Sequence, residues 1–404
     1  MKDIPNKFIN WLKNSWKAIV ISLLIISAGF ATLNIQPKVI HNQANIYEAA
    51  TVLKVNSPDK PWYRSVNAPF LIPSVLVNKV TNNSLNSTRF VSAVFTLIAI
   101  ILFYLLVKIW FNGRMALVGS ILLLTNSITL NLAHQGAPFA ALLLAPLAIF
   151  ISYNWFVRTK SNRFLSFMTF IAVIAVSAYI PFMLWLILIA VTALSVYSNK
   201  KLKKLKIWQL LLAGCLYLII LVPLFVSLMG APGQIRELLG IPLQLVDIKQ
   251  YVFGIAQIIS SIFIIAPAMP IIFLGNLPIL DVFTAIMAIL GMYFYIKRLK
   301  HRRSMILLSA LFVMISVMAL SSNFQIYSGL LLAFMYIFAI TGIIEILKQW
   351  YAYFPRNPLV RNFGVALVVI AIGLVSFYQL ERYYVAWANA PETKAAYMIK
   401  YQQG

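Results

Sequence analysis

RTKSNRFLSFMTFIAVIAVSAYIPFMLWLILIAVTALSVYSNKKLKKLK, residues 158–206, begins and ends in clusters of basic residues. Between the clusters, residues 164–198 carry no charged side chain over 35 positions. One crossing of about 30 Å of hydrocarbon takes roughly 20 helical residues, so this run is too long for one and adequate for two short ones. Pro181 interrupts it near the middle, and proline breaks a helix because it lacks an N–H and clashes with the preceding turn. The stretch therefore reads as a hairpin of two crossings, 164–180 and 182–198. Both of its basic ends then lie on one side of a bilayer.

The rest of the chain follows the same pattern. Of 404 residues 62% are hydrophobic and only 10% charged, and mean hydropathy is +0.88. A soluble domain carries roughly a quarter charged residues, so this chain cannot cover a soluble surface. Within lipid each apolar run must be helical, because a helix pairs its own backbone polar groups. We expect an all-α, polytopic integral membrane protein with about eleven spans. They are 18–35, 90–107, 115–132, 139–157, 164–180, 182–198, 207–228, 277–296, 304–320, 329–347 and 363–380. A further apolar stretch, 252–274, holds Pro267 and Pro270 and reads as an outer-surface or re-entrant segment. Residues 1–380 form one membrane domain with long outer segments 36–89 and 229–276, and 381–404 form a short tail. The start also fits a signal peptide, but its apolar run continues to about Ile35 and more spans follow, so an uncleaved first helix is preferred.

The net charge of +24 would suggest nucleic acid in a soluble protein, but no basic face with interleaved aromatics exists on a soluble element. Instead 22 of the 33 basic residues fall in the links assigned to one side, whereas seven of the nine acids fall on the other. Positive loops stay cytoplasmic. The expected orientation in the plasma membrane is a cytoplasmic N-terminus and an extracytoplasmic C-terminus. Trp62 and Tyr63 in the first outer segment suit the headgroup level.

Ionisable residues within spans are the default functional candidates in a membrane protein, and here only Asp281 and Glu345 come near, each at a span end. With no ion carriers and no matched broken helices, a small-solute or lipid transporter is the weakest reading. His41, His134 and His301 are too few and scattered for a metal site, and the single Cys215 gives no disulfide framework. His41 and His134 fall on the outer side and are readable either as convergent groups or as ordinary interfacial histidines.

HNQANIYEAATVL (41–53), NAPFLIPSVLVNKV (67–80), the stretch STRFVSAVF…LNLAH (87–134) and the tail RYYVAWANAPETKAAY (382–397) together resemble the GT-C superfamily of membrane glycosyltransferases. The nearer likeness is to protein mannosyltransferases and lipid A aminoarabinose transferases. It covers essentially the whole chain, through order and topology rather than one diagnostic motif. It implies transfer of a sugar from a polyprenyl-phosphate carrier on the extracytoplasmic side, with that lipid and the membrane as partners. The sugar, the acceptor and any protein partner stay open.

The departures concern charge. Where the family has an Asp-Glu pair as general base, and often as metal ligand, this chain has Asn42-Gln43. An amide keeps hydrogen-bonding reach but takes no proton, so a divalent metal has no support here. His134-Gln135 stands where many members have Arg-Glu, and Gln325 precedes Tyr327 where bacterial relatives have Arg-Tyr. A catalytic protein would then need Glu48, Asp59 or His41 as its base, although both acids read equally well as solvated loop residues. Arg89 matches the family position for a lipid-phosphate cation, with Arg64, Arg236 and Lys249 as further outer cations. Each is otherwise a snorkelling residue. The alternative function is a non-catalytic lipid-binding or scaffold subunit that keeps the fold.

Overall fold

In the computed structural model the chain is described over residues 36–37, 39–40, 43–57, 62–159, 162–242, 246–321 and 324–400. The expected first span 18–35, together with His41, Asn42 and Asp59, lies outside the described residues. The all-α class is as expected. A two-residue strand β1 (Gln43–Ala44) leads into α1 (Ile46–Asn56), α2 (Ala68–Thr81) and α3 (Ser84–Trp110). Then come α4 (Gly113–Thr125), α5 (Ser127–His134), α6 (Ala140–Arg158), α7 (Arg163–Ser177), α8 (Met183–Leu202) and α9 (Ile207–Gly230). The chain continues through α10 (Gly233–Leu239), α11 (Ile248–Phe263), α12 (Val282–Lys297), α13 (Arg302–Met318), α14 (Gly329–Tyr353) and α15 (Pro358–Glu381). A π-helical turn (Arg382–Trp387), α16 (Pro391–Ala396) and β2 (Ile399–Lys400) end it. β2 pairs antiparallel with β1, Gln43 opposite Lys400.

Side-chain caps set many of the helix starts. Asn83, Asn112, Asn126, Asp247, Asp281 and Asn357 each accept a backbone N–H at the start of the helix that follows, satisfying donors that a helix leaves unpaired. Asn126 does more. It divides the expected span 115–132 into α4 and α5, which meet at a bend of 64°, and its amide oxygen accepts from Ile128 and Thr129. The single straight span expected there is thus a bent pair. The outer segment 36–89, expected only as a loop, contains α1 and α2.

α14 is the central helix. Of its most apolar window 89% is buried, against 17% for α9 and for the α15 segment. The outer helices turn Leu211, Ile219, Val222, Leu374 and Phe377 outward. Apolar surface of that extent is excluded in water and is the natural exterior of a bundle in lipid. The chain is an integral membrane protein. Among the described residues, five single helices are long and apolar enough to cross a membrane, or six with the bent pair. α7, α8, α12 and α13 are not among these, and the first expected span lies outside the described residues, so eleven crossings remain an expectation.

α12 meets α14 at small residues. A methyl on Gly291 would collide with the Phe338 carbonyl, and one on Gly342 with that of Met287. Such close backbone approach characterises helix pairs in membranes.

The two ends of the bundle differ. At one end the basic links come together: Arg302 donates to the Tyr197 carbonyl (3.2 Å), and Arg303 stacks on Trp110 with its guanidinium carbon 4.7 Å from the ring. At the other end Asn67 N–H donates to the Tyr179 carbonyl, Phe182 N–H to that of Leu238, and Trp387 Nε1 to that of Pro270. The outer segments and the tail therefore share the end opposite the basic links.

Candidate functional site

At that second end, α1 organises the polar groups. Asn45 caps it by accepting the N–H groups of Tyr47 (2.9 Å) and Glu48 (3.1 Å), and Glu48 Oε2 accepts back from the Asn45 N–H (3.1 Å). This reciprocal capping box fixes Glu48 on the inward face of α1. There it meets Arg89 on α3: Nε donates to Oε1 at 3.0 Å and Nη2 to Oε2 at 3.3 Å. The Gly136 N–H donates to Oε1 at 2.8 Å. Each Glu48 oxygen thus accepts two hydrogen bonds, and the side chain is fully enclosed. Gly136 is required there, because a methyl would strike the Thr88 hydroxyl.

Arg89 is used up in the same way. Nη1 donates to the Ile40 carbonyl (2.8 Å) and Nη2 to that of Gln43 (2.6 Å), and the side chain is 2% exposed. The residues expected as base and as phosphate cation are each other's partners. With Glu48 filled and Arg89 enclosed, the geometry gives them an architectural role, holding α1 and the start of the chain against α3.

Gln43 is likewise committed to structure. In the orientation that satisfies its neighbours, its amide nitrogen donates to the carbonyls of Tyr397 (2.6 Å) and Val39 (3.3 Å). Nearby His134 Nδ1 shares a hydrogen bond of 2.8 Å with the Tyr383 hydroxyl, their rings stacked at 5.5 Å. Tyr383 also stacks on Trp387 at 5.1 Å. The π-helical turn brings both rings inward, and wider turns of this kind recur at functional sites. Gln135 is buried, and neither end of its amide finds a partner among the described residues.

On the other face of α1 a cavity of about 160 Å³ opens between Tyr47, Lys54, Asn67, Phe139, Glu237 and Tyr327. Glu237 and Lys54 are exposed and line it. Burial, reinforced by the charge of Glu237 and by Tyr47, pushes the Tyr327 phenol up to about 12. Burial also raises that of Tyr47. Both phenols therefore keep their protons at neutral pH, and both residues line the cavity. Gln325 is half-buried just before Ile326 and Tyr327, which line the wall. Arg64, Arg236 and Lys249 are exposed, and Arg64 lies against the Tyr63 ring. Glu237 did not emerge as a candidate from the sequence, because nothing in GQIREL (233–238) marks it apart from other outer acids.

A metal does not fit these residues. The Glu48 oxygens and the Gln43 amide are already bonded, and among the described residues no three His, Cys, Asp or Glu side chains group together.

Residues 68–226 match the family model of dolichyl-phosphate-mannose-protein mannosyltransferases. No curated protein matches in sequence. The structure is similar to the oligosaccharyltransferase of Archaeoglobus fulgidus in its apo form, with TM-score 0.59 and 13% identity over 98% of this chain and 61% of that one. AglB of the same archaeon, solved with an inhibitory peptide and a dolichol-phosphate, gives TM-score 0.55 and 14% identity over 95% and 56%. ArnT of Cupriavidus metallidurans, solved with undecaprenyl phosphate, gives 0.54 and 12% over 95% and 77%. The chain spans about three fifths of the length of the archaeal proteins it matches. The resemblance to GT-C glycosyltransferases stands, and the fold is theirs.

Proposed function

We propose that this GT-C-fold chain is a membrane glycosyltransferase. It transfers a sugar from a polyprenyl-phosphate carrier to an acceptor at the extracytoplasmic end of the bundle. The observation that carries this reading is the cavity beside α1, where the Glu237 carboxylate, the Lys54 ammonium and the Tyr327 phenol line one space. The oxygen or nitrogen of the acceptor attacks the anomeric carbon, whose bond to the phosphate oxygen breaks. Polyprenyl phosphate leaves with the bonding pair, and the acceptor's proton passes to a base. Glu237 takes that role, because it is a carboxylate at the cavity rather than one enclosed as Glu48 is. Asp59 and His41, on the same outer segment as α1, are the other bases the sequence offers. Lys54, with Arg64 and Arg236 exposed at this end, supplies positive charge to the departing phosphate.

A second reading keeps the lipid and drops the chemistry. It is favoured by the amides Asn42 and Gln43 at the family's acid pair and by the Gln43 side chain being tied to the tail. A transfer assay with a labelled polyprenyl-phosphate sugar and a panel of acceptors separates the two. A carboxylate base contributes about 10²–10⁴-fold in rate, so Glu237→Gln should lose that much while unfolding at the wild-type temperature. Wild-type turnover that survives Glu237→Gln removes Glu237 from the role. A wild-type protein that binds polyprenyl phosphate but transfers nothing supports the second reading.

A further inference from the structure

The basic end of the bundle holds a second cavity that the sugar-transfer reading does not use. Its volume is about 650 Å³, and Arg298, Lys300, His301, Arg302, Arg303 and Lys348 line it. Among the described residues Glu345 is the one acid on its wall. That carboxylate already accepts from Lys348 Nζ at 2.8 Å and lies 3.9 Å from Arg298. Five permanent cations against one carboxylate leave a local excess of four positive charges.

Topology alone does not produce this arrangement. Retention of positive loops on one side requires only that cations be present in the loops, where each is free to splay into water. Here they converge on one concavity with an aromatic wall. Arg303 is half-buried, stacked on Trp110 at 4.7 Å and near Phe111 at 6.0 Å, and Arg298 lies over Phe294 at 6.0 Å. Stacking holds a guanidinium plane in place, so less freedom is lost when an anion arrives, although Arg303 Nη1 already donates to the Trp110 carbonyl at 3.5 Å. Like charges gathered this closely repel one another, and an anion relieves that repulsion. The first turn of α13 carries no side-chain cap and adds backbone donors next to Arg302 and Arg303.

We propose that this cavity binds a phosphate group, and that the phosphate belongs to the headgroup of an anionic phospholipid. Forked guanidinium groups suit the tetrahedral oxygens of phosphate, and basic pockets between membrane helices are suited to such headgroups. The lipid source is favoured over a soluble phosphate by the surface that α12, α13 and their link present beside the cavity. Ile296, Leu299 and Met305 are exposed apolar side chains beside the cationic rim, a surface on which acyl chains can lie.

The test uses the full chain in detergent micelles, with thermal unfolding followed during titration with phosphatidylglycerol or phosphatidylcholine. Phosphatidylglycerol should raise the unfolding temperature at concentrations where phosphatidylcholine does not. Lys300→Gln combined with Arg302→Gln should raise the phosphatidylglycerol concentration needed by on the order of tenfold or more, since each basic residue near such a surface adds measurably to binding. Lys203→Gln with Lys204→Gln removes two exposed cations outside this cavity and should leave the titration unchanged. Arg303→Lys, which keeps the charge and loses the fork, should weaken binding by an intermediate factor. Equal losses in the two double variants, or no loss in either, overturn the site. Stabilisation by inorganic phosphate alone, to the same plateau and lost in the Lys300–Arg302 variant, keeps the phosphate site and overturns the lipid as its source.

Discussion

The Glu48 carboxylate lies 3.0 Å from Nε of Arg89, with both side chains almost wholly enclosed and 41 positions apart in sequence. Two groups with separate chemical promise neutralise one another, and backbone donors and acceptors saturate what remains. Breaking a buried pair by removing one partner costs about 3–5 kcal/mol, because an unpaired charge stays behind. Arg89→Ala should therefore lower the unfolding temperature strongly, as measured in micelles. Glu48→Gln keeps the volume but loses the charge, and it should destabilise in the same direction. Combining Glu48→Gln with Arg89→Met should cost less than the two separately, since neither charge is then orphaned. Additive losses would show that the two side chains act independently.

Both residues stood out in the sequence, but their relationship did not. In the sequence Arg89 reads as a lipid-phosphate cation and Glu48 as a candidate base. Nothing local indicates that α1 folds against α3 or that Gly136 supplies a third contact. The bundle itself was legible, because an apolar run long enough for lipid has helix as its only option. The break at Asn126 was written in the polar triplet Thr125-Asn126-Ser127, yet flanking leucines and isoleucines mask it in any window of span length. Glu237 was invisible for another reason: its place at the cavity depends on α10 folding back so that Leu238 accepts from the Phe182 N–H.

The crossing of α12 and α14 yields a prediction about packing. Gly291→Ala or Gly342→Ala places a methyl against a backbone carbonyl, which cannot rotate away as a side chain would. Overpacking of this kind costs about 1–3 kcal/mol. Gly214 and Gly373, on the outward helices α9 and α15, have open space at the same position. Alanine there should be neutral or slightly stabilising, through helix propensity. Thermal unfolding of the four variants checks this. Equal tolerance at all four positions would mean that the two helices do not approach this closely.

Tyr327 predicts an alkaline limit to stability. Its folded value of about 12 lies above the ordinary 10.0, so the folded state holds the proton longer than the unfolded chain does. The associated stability is fully present below pH 10 and is lost as pH rises through about 12. Tyr327→Phe keeps the edge-to-face contact with Phe182, whose ring lies 4.5 Å away, and removes the titrating group. The variant should match wild type in its pH dependence below 10 and decline less steeply above it. Unfolding midpoints measured from pH 8 to 12 test the difference, and identical alkaline arms would exclude burial of this phenol.

Orientation is the premise that assigns each cavity to a side of the membrane. The basic links gather at one end of the bundle, and the tail packs at the other through Trp387 and the β1–β2 pair. Positive loops resist translocation, so the end bearing Lys203 should face the cytoplasm and the end bearing Asn389 the exterior. Both positions are exposed, and Cys215 is the only native cysteine, so a Cys215→Ala background leaves one thiol to follow at a time. In intact cells a membrane-impermeant thiol reagent should label Asn389→Cys and spare Lys203→Cys, with the reverse in inverted vesicles. If Lys203→Cys were labelled from outside, the carboxylate-lined cavity would face the cytoplasm. A donor presented on the exterior could not then reach Glu237.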